Sequence, residues 1–414
     1  MAQWRPILDG TLAERARTAI DDIVNALPDP SESGIGNPSL AGGNAGLALL
    51  CGYLALTGYD DEENAAEFLE KAIQAVSTEQ VGPTFYGGFA GIAWVAEHLQ
   101  KRLQQLDEDA NEEIDEVLKG FLQQSSWADD YDLISGLVGY GVYALDRLPR
   151  PNAVKCIEHI IDHLAQKAEH NAEGITWRTS PDLLPDHQRK DAPEGYYNLG
   201  LAHGVPGVIA FLGLACGAGI DVEKARPLLD GAVSWLLSQK LTDTESTFTS
   251  WLVPGVESRD CRLAWCYGDA GLCAALLIAA RSIGNSRWEE EAINIARRAA
   301  LRPVKTAGAV DAGLCHGAAG IAHIFNRIFH ATGDELFKDR AKFWFEQTLD
   351  MRRPGQGVAG YLAYHPDENG NEGWADDPGL LTGAAGIALA LLAATTDVVP
   401  DWDRMLLVSI PQRS

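Results

Sequence analysis

A pair of glycines separated by two residues recurs along the chain, and an apolar run follows each pair. The seven pairs are Gly43/Gly46, Gly88/Gly91, Gly136/Gly139, Gly204/Gly207, Gly268/Gly271, Gly317/Gly320 and Gly383/Gly386. Seven pairs in one register are typical of a protein built from repeated units. We expect the first glycine to permit a backbone angle at the loop-to-helix corner that a Cβ atom would obstruct, and the second to let another backbone come close.

Two kinds of helix are predicted to alternate. The runs after the glycine pairs are apolar nearly all round, so we expect helices that are buried on every side. Residues 64–76, including Ile73, and residues 337–348 each carry one apolar stripe, which predicts surface helices with one buried face. Gly58, Gly219, Gly284 and Gly333 each have Asp or Asn one or two residues later, which indicates where one helix ends and the next begins.

Seven inner and seven outer helices predict an all-α fold, an α/α toroid with long loops over one mouth. An open solenoid is the competing geometry, but the inner helices show no polar concave face. The long loops are expected at 172–200, 240–262 and 351–380, with a β-hairpin around 246–251 as an option. We interpret residues 1–414 as one domain, with 1–40 as an N-terminal helix and lead-in and 400–414 as a tail.

Composition excludes several classes of protein. The net charge is −25, from 58 acidic and 33 basic residues, whereas nucleic-acid binding needs a basic face. We find no apolar run long enough to span a membrane and no secretory signal, and seven cysteines without such a signal argue against a disulfide framework. These features predict a cytoplasmic protein.

Metal-ligating side chains stand at matching positions of the fifth and sixth repeats. Cys266 and Cys315 each lie two residues before the first glycine of their repeat, and His316 follows Cys315. A ring would direct these positions toward one axis, so we predict that the three side chains hold one Zn²⁺. Three protein ligands and an open fourth position are typical of a catalytic zinc site. Cys261 and Cys273 are alternative sulfur ligands.

The same register adds His203 and Tyr267, which directly precede the first glycines of the fourth and fifth repeats. A zinc ion with two thiolates suits a thiol substrate, because metal binding removes the thiol proton and yields a nucleophile. His203 could then act as an acid/base group, with a role as fourth zinc ligand as the alternative. Arg262 could stabilise an oxyanion, with a loop salt bridge as the alternative.

The chain resembles the lanthionine synthetase C-like family, the cyclases of lanthipeptide biosynthesis. The resemblance spans the seven repeats and is most specific at Ala-His-Gly (202–204), Arg-x-x-Trp-Cys-Tyr-Gly (262–268) and Cys-His-Gly (315–317). It implies an α/α toroid with one zinc ion. It also implies an enzyme that adds a peptide cysteine thiol to dehydroalanine or dehydrobutyrine, forming (methyl)lanthionine rings.

The resemblance assigns roles to individual residues. Its zinc ligands would be Cys266, Cys315 and His316. Its catalytic residues would be His203, Asp132, Arg262 and Tyr267, with His203 as the acid/base group and Asp132 as the acidic residue before the third repeat.

By its length the chain corresponds to the stand-alone, class I type of cyclase. The expected partners are a dehydrated precursor peptide with its leader, a separate dehydratase and an exporter. A peripheral association with a membrane-bound biosynthetic complex is an option beside a purely cytoplasmic location.

Other functions fit parts of the pattern. One is a different zinc-dependent thiol-alkylating enzyme, either glutathione-adding or prenyltransferase-like, although prenyltransferases use an Asp-Cys-His zinc set. Another is a non-catalytic, zinc-bearing peptide-binding or scaffold protein. A glycan hydrolase would need paired carboxylates, for which Asp132 and Asp269 are available, although Asp269 also suits the first turn of a helix.

Overall fold

The computed structural model describes residues 4–31, 36–59, 62–103, 109–365, 371 and 373–413. Helices account for most of this part of the chain, and its strands are only two or three residues long, which confirms the predicted all-α class. Backbone packing divides the chain into two compact units. One comprises Met1–Asn111 and Ala309–Trp402, and the other comprises Glu112–Gly308 and Asp403–Ser414. The single-domain interpretation stays a prediction.

Each glycine pair begins a helix, with the first glycine as the N-terminal capping residue. These inner helices are Asn44–Leu56, Phe89–Arg102, Leu137–Asp146, Val205–Gly217, Asp269–Ser282, Ala318–Thr332 and Ala384–Thr395. Apart from residues near their C-terminal ends they are buried on every side, as the apolar runs predicted.

Seven amphipathic helices form the outer set. They are Gly10–Ala26, Glu63–Thr78, Glu112–Leu122, Pro151–Lys167, Val222–Ser238, Ser286–Leu301 and Glu335–Asp350. The N-terminal helix packs against the last inner helix, so the final inner helix receives its outer partner from the start of the chain. Short helices occur at Asp186–Asp191 and Val304–Ala307, and 3₁₀ turns at Pro181–Leu183 and Asp401–Leu406.

The predicted stripe of the second outer helix is wrong at one position. Ile73 is 49% exposed, whereas Phe68, Ala72 and Ala75 are buried. The buried residues follow each other at helical spacings of three and four, and Ile73, one residue after Ala72, is rotated by roughly 100° from that line. The stripe predicted for 337–348 is confirmed, because Phe337 and Phe345 are buried.

Glycines end the helices where the sequence predicted. Their φ angles lie between 69° and 76°, in the left-handed region that favours glycine: Gly58, Gly219, Gly284 and Gly333. The next helices are capped by polar side chains in two cases, since Asn285 accepts a hydrogen bond from the Trp288 amide and Asp334 accepts one from the Leu336 amide.

A Cβ atom would be obstructed at every first glycine, as predicted, but in six of the seven the φ angle is not the cause. Their φ angles lie between −142° and −100°, which any residue adopts, and only Gly268 has a positive φ, of 108°. The need for glycine comes from the loop, which doubles back on itself. A Cβ atom at Gly88 would lie 2.1 Å from the carbonyl oxygen of Gly82. At Gly91 it would lie 1.8 Å from the carbonyl oxygen of Phe85, so the second glycine also makes room for its own loop.

We expect Gly88→Ala to lower the free energy of unfolding by about 3 kcal/mol, because the added methyl group would overpack against a fixed carbonyl. Gly120→Ala is the matched control, since a Cβ there meets nothing within 4 Å. That control should stabilise its helix by about 0.5–1 kcal/mol. Urea unfolding of both variants measures the difference, and equal stabilities would contradict the packing argument.

The three long segments contain short antiparallel strands. Glu169–His170 pairs with Ile175–Thr176, and Ala363–Tyr364 pairs with Trp374–Ala375. Arg178–Thr179, Tyr196–Asn198 and Trp251–Leu252 form a three-stranded sheet in that order.

The β-hairpin considered around 246–251 does not form, because acidic side chains bind the backbone amides that a hairpin would use. Asp260 accepts from the Ser246 amide at 2.7 Å, and Asp269 accepts from Thr247 at 2.7 Å and from Phe248 at 3.2 Å. Asp269 is fully buried in this structural role, which leaves it no part in a pair of hydrolytic carboxylates.

The segment predicted as a tail is packed rather than extended into solvent. The indole of Trp265 donates to the Leu406 carbonyl at 2.8 Å, and Arg281 donates to the Pro411 carbonyl at 2.9 Å. Within the described part of the chain, no helix is both long enough and apolar enough to cross a membrane.

Candidate metal centre

Most of the loops that precede the inner helices share one construction. Five of them carry Asn or Asp six residues before the first glycine: Asn37, Asp130, Asn198, Asp311 and Asp377. In four of these the side-chain oxygen accepts the amide two residues on, at 2.7–3.2 Å, which is an Asx turn. The turn bends the loop back toward the glycine and fixes the residues just before the helix.

Within each unit, backbone hydrogen bonds hold neighbouring loops in register. The Ala202 amide donates to the Cys266 carbonyl at 3.3 Å, and the Cys315 amide donates to the Leu381 carbonyl at 2.7 Å. Each of these residues lies two positions before the first glycine of its repeat. Residues at equivalent positions of these sequence repeats therefore also lie side by side in the structure.

An imidazole and a buried carboxylate meet in the unit that contains the third, fourth and fifth repeats. His203 Nδ1 lies 2.7 Å from Asp132 Oδ2, and the other oxygen of Asp132 accepts the Ser135 amide at 2.7 Å. Since a carboxylate can only accept, we assign the proton to Nδ1. The His203 ring is partly exposed and Asp132 is buried, so Nε2 is the atom that can exchange a proton with a substrate.

Electrostatics favour the protonated form of this imidazole. Burial acts to lower the pKa of His203, but the hydrogen bond and charge of Asp132 outweigh it, so the pKa lies above its ordinary value of 6.5. Nearby, burial and the charge of Asp132 raise the pKa of Asp130 to about 6. Asp130 therefore takes up a proton in mildly acidic solution, which reduces the negative charge around the pair.

We expect Asp132→Asn to lower the pKa of His203, because the neutral amide removes the charge that favours the imidazolium. The raised pKa also means that this pair stabilises the fold below about pH 6.5 and that the contribution is lost as pH rises through the raised value. An NMR titration of ¹⁵N-labelled histidine measures the change, with His203→Gln used for assignment. An unchanged pKa would show that Asp132 does not control the imidazole.

Tyr267 packs beside His203. Its ring stacks on the His203 ring, with centroids 5.7 Å apart. Its hydroxyl accepts a hydrogen bond from the side-chain amide of buried Asn198 at 3.2 Å. Sequence reasoning missed Asn198, although its place six residues before Gly204 is a visible signal.

Arg262 begins the loop that carries Cys266 and is exposed. Among the described residues its guanidinium forms no ion pair, so the loop salt bridge considered from the sequence is not observed. The oxyanion role stays a prediction.

A second imidazole and carboxylate meet in the other unit. His316 Nε2 lies 3.3 Å from Asp311 Oδ2, and Asp311 is only 2% exposed. The Gly313 and Tyr364 amides donate to the same carboxylate and fix its position. A carboxylate beside one nitrogen of a metal-binding histidine is a common arrangement, and the 3.3 Å approach here is within ion-pair distance. Sequence reasoning missed Asp311.

Among the described residues, Cys266, Cys315 and His316 form a group whose ligand atoms all lie within 4.8 Å of one another. Two sulfurs and an imidazole nitrogen are a donor set that suits zinc. The group does not include Cys261 or Cys273. The sulfur of Cys261 lies 2.9 Å from the Ser250 hydroxyl, and that of Cys273 lies 3.1 Å from the Ala270 carbonyl oxygen.

The chain matches known proteins along most of its length. The family model described as lanthionine synthetase C-like protein matches residues 34–407. Glutathione S-transferase LANCL1 of Danio rerio is 24% identical over 397 residues, covering 87% of this chain and 90% of that protein. Nisin biosynthesis protein NisC of Lactococcus lactis subsp. lactis is 25% identical over 300 residues, covering 64% of this chain and 68% of that protein.

Solved structures agree on the fold. A nisin cyclase superposes with a TM-score of 0.74 at 21% identity, covering 95% of this chain and 97% of the cyclase. A sugar epimerase from a ruminal bacterium superposes with a TM-score of 0.50 at 10% identity, covering 94% of this chain and all of the epimerase. At these identities the likeness concerns the fold alone, and it confirms the predicted α/α toroid class.

Proposed function

Because the chain belongs to the lanthionine synthetase C-like family, we propose that it closes thioether rings in a dehydrated precursor peptide. The observation that carries the proposal is the group of two cysteines and one histidine, which suits a metal that binds thiolates. The similarity to a nisin biosynthesis protein and to a nisin cyclase supports a peptide as the substrate.

Cys266, Cys315 and His316 would hold one zinc ion. Such an ion supplies the deprotonation of the peptide's cysteine thiol at neutral pH. Asp311, 3.3 Å from His316 Nε2, would keep that ring oriented.

The remaining chemistry falls to His203 and its neighbours. The thiolate sulfur forms a bond to the β-carbon of dehydroalanine or dehydrobutyrine, and the electron pair of the double bond moves to the α-carbon and its carbonyl. His203 Nε2 then donates a proton to the α-carbon. Asp132 holds the imidazole through Nδ1 and favours the protonated form that this step needs.

Two other side chains are proposed to assist. Tyr267 packs on the His203 ring and restricts its rotation. Arg262 would stabilise the negative charge that develops on the carbonyl oxygen, since its exposed guanidinium forms no ion pair among the described residues.

Thiol trapping tests the proposed function, because ring closure leaves the peptide's mass unchanged. A dehydrated peptide is incubated with the zinc-loaded protein, its free thiols are alkylated, and the product is weighed. Ring closure predicts that the alkylated fraction falls with time. Full alkylation of a panel of dehydrated peptides would favour the non-catalytic, peptide-binding alternative.

Addition of glutathione is the second candidate, favoured by the similarity to a glutathione S-transferase along 87% of this chain. The same residues would act on a free thiol rather than on a cysteine of the peptide. A dehydrated peptide without cysteine separates the candidates: with glutathione present, the second function predicts a mass gain of one glutathione per addition. The first function predicts no gain.

We further propose that a dehydratase supplies the substrate and that an exporter removes the product. The acidic chain, with a net charge of −25, suits a basic peptide. Co-purification with tagged candidates for both partners tests this, with a high-salt wash as the control for charge effects.

A further inference from the structure

The strand Trp251–Leu252 lies at the edge of the three-stranded sheet. Its only strand partner among the described residues is Tyr196–Asn198, with Asn198 opposite Trp251 and Tyr197 opposite Leu252. The other side of Trp251–Leu252 has no strand beside it in that sheet. An edge strand of this kind can accept an extended segment of another chain.

The pairing pattern shows which backbone groups face outward. The Leu199 amide donates to the Ser250 carbonyl at 2.9 Å, so these opposite residues form a hydrogen-bonded pair. Hydrogen-bonded and non-hydrogen-bonded pairs alternate in an antiparallel ladder, which makes Asn198 and Trp251 a non-hydrogen-bonded pair. The amide and carbonyl of Trp251 therefore point away from Asn198, toward the open edge, and neither bonds to the backbone of another described residue.

The side chain of Trp251 connects this edge to the acid/base group. Trp251 is 40% exposed, and its indole stacks on Tyr196 with ring centroids 5.8 Å apart. Its other neighbour is Tyr267, whose ring it meets edge-on at 5.9 Å and which stacks on His203 at 5.7 Å. A line of aromatic rings thus runs from solvent to His203.

We propose that the open edge at Trp251 binds the substrate peptide in an extended conformation, with a peptide side chain lying on the Trp251 indole. This rests on the proposed function. The occupant is a peptide because the edge offers one backbone donor and one backbone acceptor, and because the aromatic line leads to His203. Two ring contacts separate Trp251 from His203. At about 3.3 Å per extended residue, the peptide residue on Trp251 lies roughly two to four positions from the residue that reacts.

Three substitutions at one position separate the indole from the backbone. Trp251→Phe keeps a ring, Trp251→Ala removes the ring but keeps the amide, and Trp251→Pro removes both, which an edge position tolerates. Affinity for a fluorescently labelled dehydrated peptide is measured by anisotropy, and KM is measured by thiol trapping. Leu301→Ala is the control, because this 70% exposed side chain ends a helix that contributes nothing to the sheet.

We expect Trp251→Phe to stay within about threefold of the parent protein in Kd and Trp251→Ala to raise Kd about tenfold, with KM rising in parallel. Trp251→Pro should raise Kd by a further three- to tenfold, because one backbone hydrogen bond is also lost. An unchanged Kd in Trp251→Ala overturns the proposal. Equal values for the alanine and proline variants overturn the strand pairing.

Peptide affinity and ring closure are measured separately, so the proposed binding surface and the proposed function can fail independently. If the parent protein binds the labelled peptide but forms no ring, the proposed function fails while the Kd series still tests the edge. If rings form and Kd is the same in all variants, the function stands and the surface is wrong. Circular dichroism of each variant verifies that the fold is retained.

Discussion

Replacement of Cys315 with alanine is expected to remove the zinc ion and to lower the rate of ring closure by at least about a thousandfold. The variant leaves one sulfur and one imidazole, and two protein ligands hold zinc far more weakly than three. The rate falls with the metal for two reasons. A free thiol with a pKa of about 8.5 is only about 3% ionised at pH 7, and the thiolate also loses its fixed position, which accounts for the rest of the loss. Metal analysis of the purified protein and thiol trapping measure the two losses on the same preparation.

The matched control is Cys216→Ala. Cys216 is half-buried in an inner helix and does not belong to the metal-ligating group. We expect this variant to keep its zinc and its rate, so that a loss in Cys315→Ala is assigned to the ligand rather than to any missing thiol. Full zinc occupancy in Cys315→Ala would contradict the proposed ligand set.

His203→Ala is expected to keep its zinc and to lose about a hundred- to ten-thousandfold in kcat, the usual contribution of a positioned acid/base group. Nδ1 of His203 is bound to Asp132 at 2.7 Å, and the ring lies outside the group of metal-ligating side chains. The substitution therefore removes the proton donor and leaves the thiolate-binding residues in place. Zinc content and single-turnover rates distinguish the two effects.

His170→Ala is the control for this variant, because His170 is exposed on a short strand. It should match the parent protein in both measurements. If His203→Ala instead loses its zinc in proportion to its activity, His203 is a fourth ligand. The acid/base role would then be wrong.

The parts of the fold that repeat along the chain could be predicted from the sequence. Seven glycine pairs and the apolar runs behind them predicted the inner helices, and their shared register predicted that equivalent positions of the repeats face one axis. Within one unit, a backbone hydrogen bond joins two such positions, Ala202 and Cys266. The prediction succeeded because most of the loops are built in a similar way, so equivalent residues keep the same position relative to the helix that follows.

The reason for the glycines could not be predicted, because it depends on how closely each loop folds back. A Cβ atom at Gly88 would clash with the carbonyl oxygen of Gly82, and nothing in a Gly-x-x-Gly pattern encodes that distance. The same limit explains Ile73, since an apolar residue beside a stripe can be buried or exposed according to its neighbours.

The residues missed around the site are those that act through another side chain. Asp311 lies beside His316, and Asn198 holds the hydroxyl of Tyr267. Both also form Asx turns, so their recurrence six residues before a glycine has a structural explanation. The recurring Asn or Asp is a sequence signal for the turn that the prediction did not use. The second partner of each side chain, His316 for Asp311 and Tyr267 for Asn198, depends on tertiary structure.

X-ray absorption spectroscopy at the zinc edge tests the central claim most directly. The account predicts one zinc per chain with two sulfurs at about 2.3 Å and one nitrogen near 2.0–2.1 Å, and a third sulfur once a thiol-bearing peptide is added. A protein that binds no stoichiometric zinc, or a zinc shell of only nitrogen and oxygen that does not change with the peptide, would contradict it.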